Sequence, residues 1–137
     1  HVQAILNGSK RVELRRVRPR VRTQQIVAFY ASSPTKAVLG VGRLSMIESG
    51  TPSAIKTRHL AESAISSEEF DTYFTSAGCA TALGIEEAFE LKTHISLAQL
   101  RNAAGTEPAQ SWRYLPWTVF RDHLISEEDA PRLTNLL

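Results

Sequence analysis

Apolar and polar residues in the first third of the chain predict one short helix and three strands. Val12 and Leu14 alternate with charged residues, which is typical of a strand that buries one face. Gly40 and Gly42 lie inside a later apolar segment and indicate a bulge, a tight barrel bend or the close approach of a ligand there. The predicted elements are a helix over residues 2–6 and strands over residues 10–17, 25–31 and 36–47.

The rest of the chain is dominated by helical spacing. Ser66 and Glu69 form a capping-box pattern that predicts a helix start, and Ser126 before three acidic residues predicts another. We predict helices over residues 53–64, 66–74, 96–104, 120–125 and 126–137, a strand over 79–91, and a strand or extended turn over 112–115. Because the strands come in groups with helices inserted between them, we expect an α+β fold with a small mixed or antiparallel β-barrel.

The composition is that of one globular domain. The chain has 137 residues, of which 42% are hydrophobic and 22% are charged. No apolar run reaches the length of a membrane span, so no membrane partner is expected. A single cysteine, Cys79, excludes an internal disulfide framework and favours the reducing cytoplasm. Since Cys79 opens an apolar strand, we expect it to be buried.

The sequence predicts neither a metal site nor a cofactor. Its four histidines are scattered without metal-ligand spacing, and there is no second cysteine. There is also no glycine-rich phosphate-binding motif. Because the sequence begins without methionine and directly in a helical pattern, we expect it to belong to a longer chain with other domains.

Positive charge is concentrated in one segment. Residues 10–22 contain seven of the 16 basic residues and one of the 14 acidic ones, although the formal net charge of the chain is only +2. Six of the seven are arginine, which suits forked phosphate contacts and stacking on bases. We expect RNA or another nucleic acid as the partner here. The alternatives are a solvated surface run and a basic strip that binds an acidic protein.

The same segment carries a resemblance to a known family. It contains G-x-K-x-x-E-x-R after a short helix, from Gly8 to Arg15. Further matching segments follow in order: Phe29-Tyr30, Val38-Leu39-Gly40, Tyr73-Phe74, Gly84-Ile85, Ile95-Ser96-Leu97 and Gln110-Ser111-Trp112-Arg113-Tyr114-Leu115. Over residues 1–116 the sequence resembles the ASCH family of the PUA-like superfamily, with one departure at Ala109, where such domains often have proline. Residues 117–137 are then expected to form a helical extension packed on the same domain.

The resemblance implies a cleft between barrel and helices that binds RNA or a modified nucleobase. The basic segment supplies charge to that cleft, and aromatic and hydroxyl side chains supply stacking and hydrogen bonds. The candidate nucleic-acid-binding residues are Lys10, Arg11, Glu13, Arg15, Arg16, Arg18, Tyr30, Ser32, Ser111 and Trp112.

Some ASCH-like proteins resemble hydrolases, either ribonucleases or amidohydrolases that act on acylated cytidine. In the amidohydrolases a lysine, a threonine and a glutamate carry the reaction; the lysine maps onto Lys10, but the threonine position maps onto Glu13. If this protein is an enzyme, Lys10 and Glu13 are the catalytic candidates. A carboxylate beside six arginines should stay ionised and paired, which makes a weak base. We therefore expect recognition of RNA or of a modified nucleotide without catalysis.

The role of Glu13 stays open at this point. It can hold Arg11 or Arg15 in an ion pair, act as a general base, or accept a hydrogen bond from a base amino group. Strand alternation puts Leu14 on the core side and Glu13 with Arg15 on the other face. Lys10 has the opposite parity and joins them only if it lies at a twisted strand start. We expect both Lys10 and Arg15 to be surface residues.

Overall fold

The computed structural model describes residues 2–104 and 120–137, with no account of the Ala104 side chain. The strands are β1 (Val12–Arg15), β2 (Ile26–Ala31), β3 (Ala37–Gly50) and β4 (Ala80–Ser96). The helices are α1 (Val2–Leu6), α2 (Pro52–His59), α3 (Ser67–Tyr73), α4 (Leu97–Ala104) and α5 (Ala130–Thr134). A 3-10 turn at Leu60–Glu62 follows α2, and a π-helical turn at Phe120–Leu124 precedes α5.

The four strands form one antiparallel sheet in the order β1-β4-β3-β2. The long β3 and β4 pair from Ala37 opposite Ser96 to Gly50 opposite Ala80, with three register shifts on the way. β1 pairs with the first part of β4 and β2 with the first part of β3. The α+β class is therefore confirmed.

A closed mixed barrel is not confirmed. All strand pairs among the described residues are antiparallel, and the sheet formed by these residues is not closed. The strand or turn predicted over residues 112–115 lies outside the described residues.

β4 is longer than the sequence predicts, because polar residues continue it. The prediction ends at residue 91, whereas the strand continues to Ser96. The buried carboxylate of Asp129 accepts hydrogen bonds from the backbone N–H groups of Lys92 and Thr93, at 2.9 and 3.1 Å. A contact with a residue so distant in sequence holds a polar segment in the strand.

The predicted C-terminal helix starts later than expected. Ser126 does act as a cap, since its Oγ accepts the N–H of Asp129, but residues 127–129 form a turn. The α-helix begins at Ala130, immediately before Pro131. Proline has no N–H to donate, so it fits the first turn of a helix, where that N–H would have no partner in the helix.

Three hydrophobic clusters hold the elements together. Leu14 is buried beside Ile55 of α2 and Phe70 of α3, so the predicted core-facing side of β1 is confirmed. A second cluster joins α1 to the sheet, and a third joins the C-terminal residues to α4 and to β3 and β4. Its members include Val38, Leu91, Leu100, Phe120, Leu133 and Leu136.

The irregularity expected at the β3 glycines is found, and the group that comes close to Gly40 is the Leu6 side chain of α1. A Cβ atom added at Gly40 would overlap the Leu6 side chain and the Phe89 carbonyl oxygen. β3 and β4 also shift register between Val38 and Gly40. The absence of a side chain thus allows α1 to pack on the sheet.

None of the helices in the described part of the chain is long and apolar enough to cross a membrane.

Candidate functional site

Lys10 is a buried residue of the site, and its position before β1 explains how it can lie beside Glu13 despite its opposite parity along the strand. β1 begins only at Val12, so Lys10 precedes the strand and does not follow its alternation. Its side chain is 3% exposed, and Nζ donates to the carbonyl oxygen of Ser63 at 3.0 Å. The expectation that Lys10 is a surface residue was therefore wrong: the carbonyl at the end of the 3-10 turn, distant in sequence, draws the ammonium inward.

Glu13 joins Lys10 to Arg15. Its Oε1 lies 3.5 Å from Lys10 Nζ, and its Oε2 lies 3.8 Å from Arg15 Nη2. Oε1 also accepts the backbone N–H of Leu14 at 3.1 Å. Of the two ion pairs considered for Glu13, the structure contains the one with Arg15.

These three side chains line a cleft with a volume of about 820 Å³. This volume is in the range of small-molecule sites, about 300–1,000 Å³. Apolar residues form much of the wall, and the polar groups Lys10, Glu13 and Arg15 are set among them. The apolar lining includes Ile5, Leu14, Val27, Phe29, Leu44 and Leu83.

The turn after β2 forms one rim of the cleft. Tyr30 is half-buried near the end of β2, next to a register shift between Phe29 and Tyr30. Ser32 follows in the exposed turn, and both residues line the cleft. Tyr30 and Ser32, two of the binding residues predicted from the sequence, thus line the same cleft as the three charged side chains.

α3 adds two residues to the lining, Glu69 and Tyr73. Glu69 is exposed, and its Oε1 accepts the N–H of Ser66, which completes the predicted capping box. Tyr73 was not a candidate from the sequence. Its place in the ordered family pattern was a signal, but only the packing of α3 beside β1 puts its ring at the cleft.

The basic segment divides into two parts. Lys10 and Arg15 line the cleft, whereas Arg11, Arg16 and Arg18 are exposed and are not among the lining residues. The Arg16 guanidinium lies over the Tyr73 ring, 4.9 Å from its centroid. Arg18 Nη1 donates to Ser49 Oγ at 3.0 Å. Part of the predicted set is therefore beside the cleft and not in it.

Three further expectations concern residues near the site. Ser111 and Trp112 lie outside the described residues. Cys79 was expected to be buried, which was wrong, because β4 begins at Ala80 and leaves Cys79 exposed. Its Sγ donates to the carbonyl oxygen of Arg16 at 3.5 Å. Within residues 2–104 and 120–137 no group of three or more His, Cys, Asp or Glu residues is arranged to hold a metal ion.

Comparison with known proteins identifies the family. No family model matches this chain. A curated protein from Zymomonas mobilis subsp. mobilis, named ASCH domain-containing ribonuclease, is 31% identical over 114 residues, which cover 82% of this chain and 76% of that protein. This chain belongs to the ASCH family.

Solved structures agree with the family assignment. Crystal structures of an ASCH protein from Zymomonas mobilis match this ASCH domain over 98% of its length. A tyrosine-to-phenylalanine variant has a TM-score of 0.79 at 27% identity, with 89% of that chain covered. A structure of the protein without a named substitution has a TM-score of 0.78 at 28% identity, with 87% covered.

A second kind of relative is a ribosomal protein. Large ribosomal subunit protein uL22 from Ureaplasma parvum is 32% identical over 79 residues, which are 58% of this ASCH domain. The match spans a quarter of that ribosomal protein, 25% of its length.

Proposed function

We propose that this ASCH domain binds RNA in the cleft and cleaves its backbone there. The observation that carries the proposal is the arrangement of Lys10, Glu13 and Arg15, one carboxylate between two cations in a cleft of nucleotide size. Cations stabilise the charge that develops on a phosphate in the transition state, and a positioned carboxylate accepts a proton.

The relatives support this choice. The curated Zymomonas mobilis protein is named a ribonuclease. Two crystal structures of the Zymomonas mobilis ASCH protein carry single substitutions, one of a tyrosine by phenylalanine and one of a serine by alanine. Those two residues are as far apart in that chain as Tyr30 and Ser111 are in this one. This equal spacing supports a role for Tyr30 in the proposed reaction.

The arginines around Glu13 are fewer than the sequence led us to expect. From the sequence alone, we expected Glu13 to lie beside all six arginines of the basic segment. In the structure Arg15 is its arginine partner, while Arg16 and Arg18 are outside the lining of the cleft. Glu13 is therefore not surrounded by the whole basic segment.

The proposed reaction uses the hydroxyl group of the RNA itself. The 2′ oxygen bonds to the adjacent phosphorus as the bond from phosphorus to the 5′ oxygen breaks. Glu13 takes the 2′ proton, and the Tyr30 hydroxyl protonates the departing 5′ oxygen. Arg15 and Lys10 face the phosphate oxygens, whose charge increases at the transition state. The products are a cyclic phosphate and a free 5′ hydroxyl.

Two other readings are weaker. Amidohydrolysis of an acylated nucleoside lacks its nucleophile, because Glu13 stands where the related enzymes have threonine. Recognition of RNA without cleavage uses the same cleft, and the experiment separates it from the proposal.

The test uses labelled single-stranded RNA with the purified protein, in EDTA and in magnesium. Glu13→Gln keeps an oxygen for the Leu14 N–H but removes the base, so we expect RNA binding to persist and cleavage to fall by at least a hundredfold. Glu128→Gln is the matched control, since Glu128 is exposed and is not among the residues that line the cleft. Binding without cleavage by the wild-type protein would leave recognition as the function; no binding would overturn both readings.

A further inference from the structure

The loop between β1 and β2 carries a row of arginines outside the cleft. Arg16, Arg18, Arg20 and Arg22 are all exposed, and we call them the arginine strip. Between them Pro19 is buried, and Val21 packs against the hydrophobic cluster beneath α1. Pro19 and Val21 thus anchor the loop, while the arginines beside them and Val17 are exposed.

The loop is attached to the sheet at several points. Arg18 Nη1 donates to Ser49 Oγ, near the end of β3. Further along, Gln24 N–H donates to the Leu44 carbonyl, and Leu44 N–H donates to the Gln25 carbonyl at 2.9 Å. β2 pairs with β3 only as far as Arg43, so the loop follows the edge of β3 that β2 leaves open. Hydrogen bonds to β3 therefore hold the loop that carries the arginine strip in place.

The strip carries charge that the described part of the protein does not neutralise. Among residues 2–104 and 120–137, no carboxylate lies within ion-pair distance of any of its four guanidinium groups. Other arginines are paired: Arg43 with Glu86 and Glu87, and Arg121 with Asp122. Four neighbouring guanidinium groups that no described carboxylate pairs with favour the binding of an external polyanion.

The strip begins at the cleft. Arg16 lies over the ring of Tyr73, and Tyr73 lines the cleft. A chain that leaves the cleft past Tyr73 thus meets Arg16, the first arginine of the strip in sequence.

We infer that the arginine strip binds the phosphate backbone of single-stranded RNA whose reacting nucleotide occupies the cleft, so that the substrate is an oligonucleotide and not a free nucleotide. This inference rests on the proposed function. Arginines two residues apart are separated by about 7 Å at most along the backbone, which is short enough for neighbouring arginines to contact successive phosphates of one strand. Single strands also present unstacked bases, which a cleft with apolar and aromatic walls can accept.

The test compares strands of different length. The substrates are a ribodinucleotide, which the cleft alone can hold, and an octaribonucleotide, which reaches the strip. Arg20→Gln/Arg22→Gln removes the two arginines of the strip that are furthest from Arg16 in sequence. The matched control, Lys92→Gln/Arg121→Gln, removes two exposed basic residues elsewhere. Thermal melts check that both double variants fold.

We expect the strip variant to bind the octamer on the order of tenfold more weakly at low salt, while the control binds as the wild type does. The slope of log affinity against log salt should become shallower by about 1.4, because each single-strand phosphate contact contributes about 0.7. Cleavage of the dinucleotide should not change.

The outcomes separate the two proposals. If the octamer binds equally well to the strip variant, the control and the wild type, the strip inference is wrong, whatever the cleavage activity. If octamer binding depends on the strip but no RNA is cleaved, the inference stands and the proposed cleavage fails. If polyglutamate binds through the strip and the octamer does not, the strip serves an acidic protein and the inference is overturned.

Discussion

Lys10 Nζ lies 3.5 Å from Glu13 Oε1, although the two residues have opposite parity along a strand. The contact forms because Lys10 precedes β1 and its ammonium turns towards the Ser63 carbonyl. Ser63 comes from the turn after α2, 53 residues further along the chain. The contact between Lys10 and Glu13 therefore depends on how the turn after α2 packs beside β1.

Truncation of Lys10 should lower stability as well as activity. Lys10→Ala leaves the Ser63 carbonyl without this donor in a buried place, which typically costs about 1–3 kcal/mol. Lys10→Gln keeps an N–H donor and removes only the charge, so it should melt closer to the wild type and still cleave RNA slowly. Urea denaturation and a cleavage assay on the same samples check this. Equal stability of the alanine variant and the wild type would contradict the buried role.

Leu14 and Arg15 should respond in opposite ways to alanine substitution. Leu14→Ala removes a buried side chain and should cost about 2–5 kcal/mol. Arg15→Ala changes a side chain that is 28% exposed, and we expect a loss of RNA binding with a stability change below about 1 kcal/mol. Thermal melts decide between the two. A similar loss of stability in both variants would mean that Arg15 supports the fold more than the ligand.

Much of the fold, and less of the site, was predictable from the sequence. Alternation around Leu14 predicts β1 and its buried face, and the Ser66 capping box predicts α3, because such patterns are local. The burial of Lys10 and the position of Tyr73 depend on contacts between distant segments. The exposure of Cys79 was mispredicted because the strand starts one residue later than the apolar pattern suggests. The division of the arginines between cleft and strip also follows from the course of a loop, which composition does not reveal.

Gly40 should tolerate no side chain. Gly40→Ala would bring a Cβ into the Leu6 side chain and to 2.5 Å from the Phe89 carbonyl oxygen, so the backbone must shift. Overpacking of this kind costs about 1–3 kcal/mol. Gly78→Ala is the matched control, because an added Cβ there meets nothing within 4 Å. Denaturation midpoints test the pair, and equal midpoints would show that α1 moves without cost.

Asp129 should make the protein sensitive to acid. Burial alone would raise the pKa of this carboxyl, but hydrogen bonds from the Lys92 and Thr93 amides and the Ser126 hydroxyl, with the charge of Arg132, lower its pKa overall. A lowered folded-state pKa contributes stability above the unfolded value, about 3.9, and that stability is lost as the pH falls towards the folded value.

The comparison for Asp129 uses its amide variant. Asp129→Asn should be less stable than the wild type at pH 7, and its melting temperature should fall less between about pH 5 and pH 3. Glu128→Gln, at an exposed neighbour, should follow the wild-type curve. Parallel curves for Asp129→Asn and the wild type would show that this carboxylate does not govern acid unfolding.

Tyr30→Phe separates chemistry from stacking in the cleft. The ring can stack on a base with or without its hydroxyl, so a stacking role predicts unchanged RNA binding and unchanged cleavage. A role as proton donor to the 5′ oxygen predicts unchanged binding and a fall in the cleavage rate of roughly 10²–10⁴-fold, the usual contribution of general acid–base catalysis. Tyr30 is half-buried at the cleft wall, and Phe keeps its apolar contacts, so the fold should survive the change. Single-turnover cleavage with saturating protein measures the chemical step apart from binding.

A substrate with a good leaving group at the 5′ position needs little protonation, and it should restore most of the rate of Tyr30→Phe but not that of Glu13→Gln. If that substrate leaves the Tyr30→Phe defect unchanged, the hydroxyl acts elsewhere in the reaction and the proton donor must be sought among the other groups of the cleft.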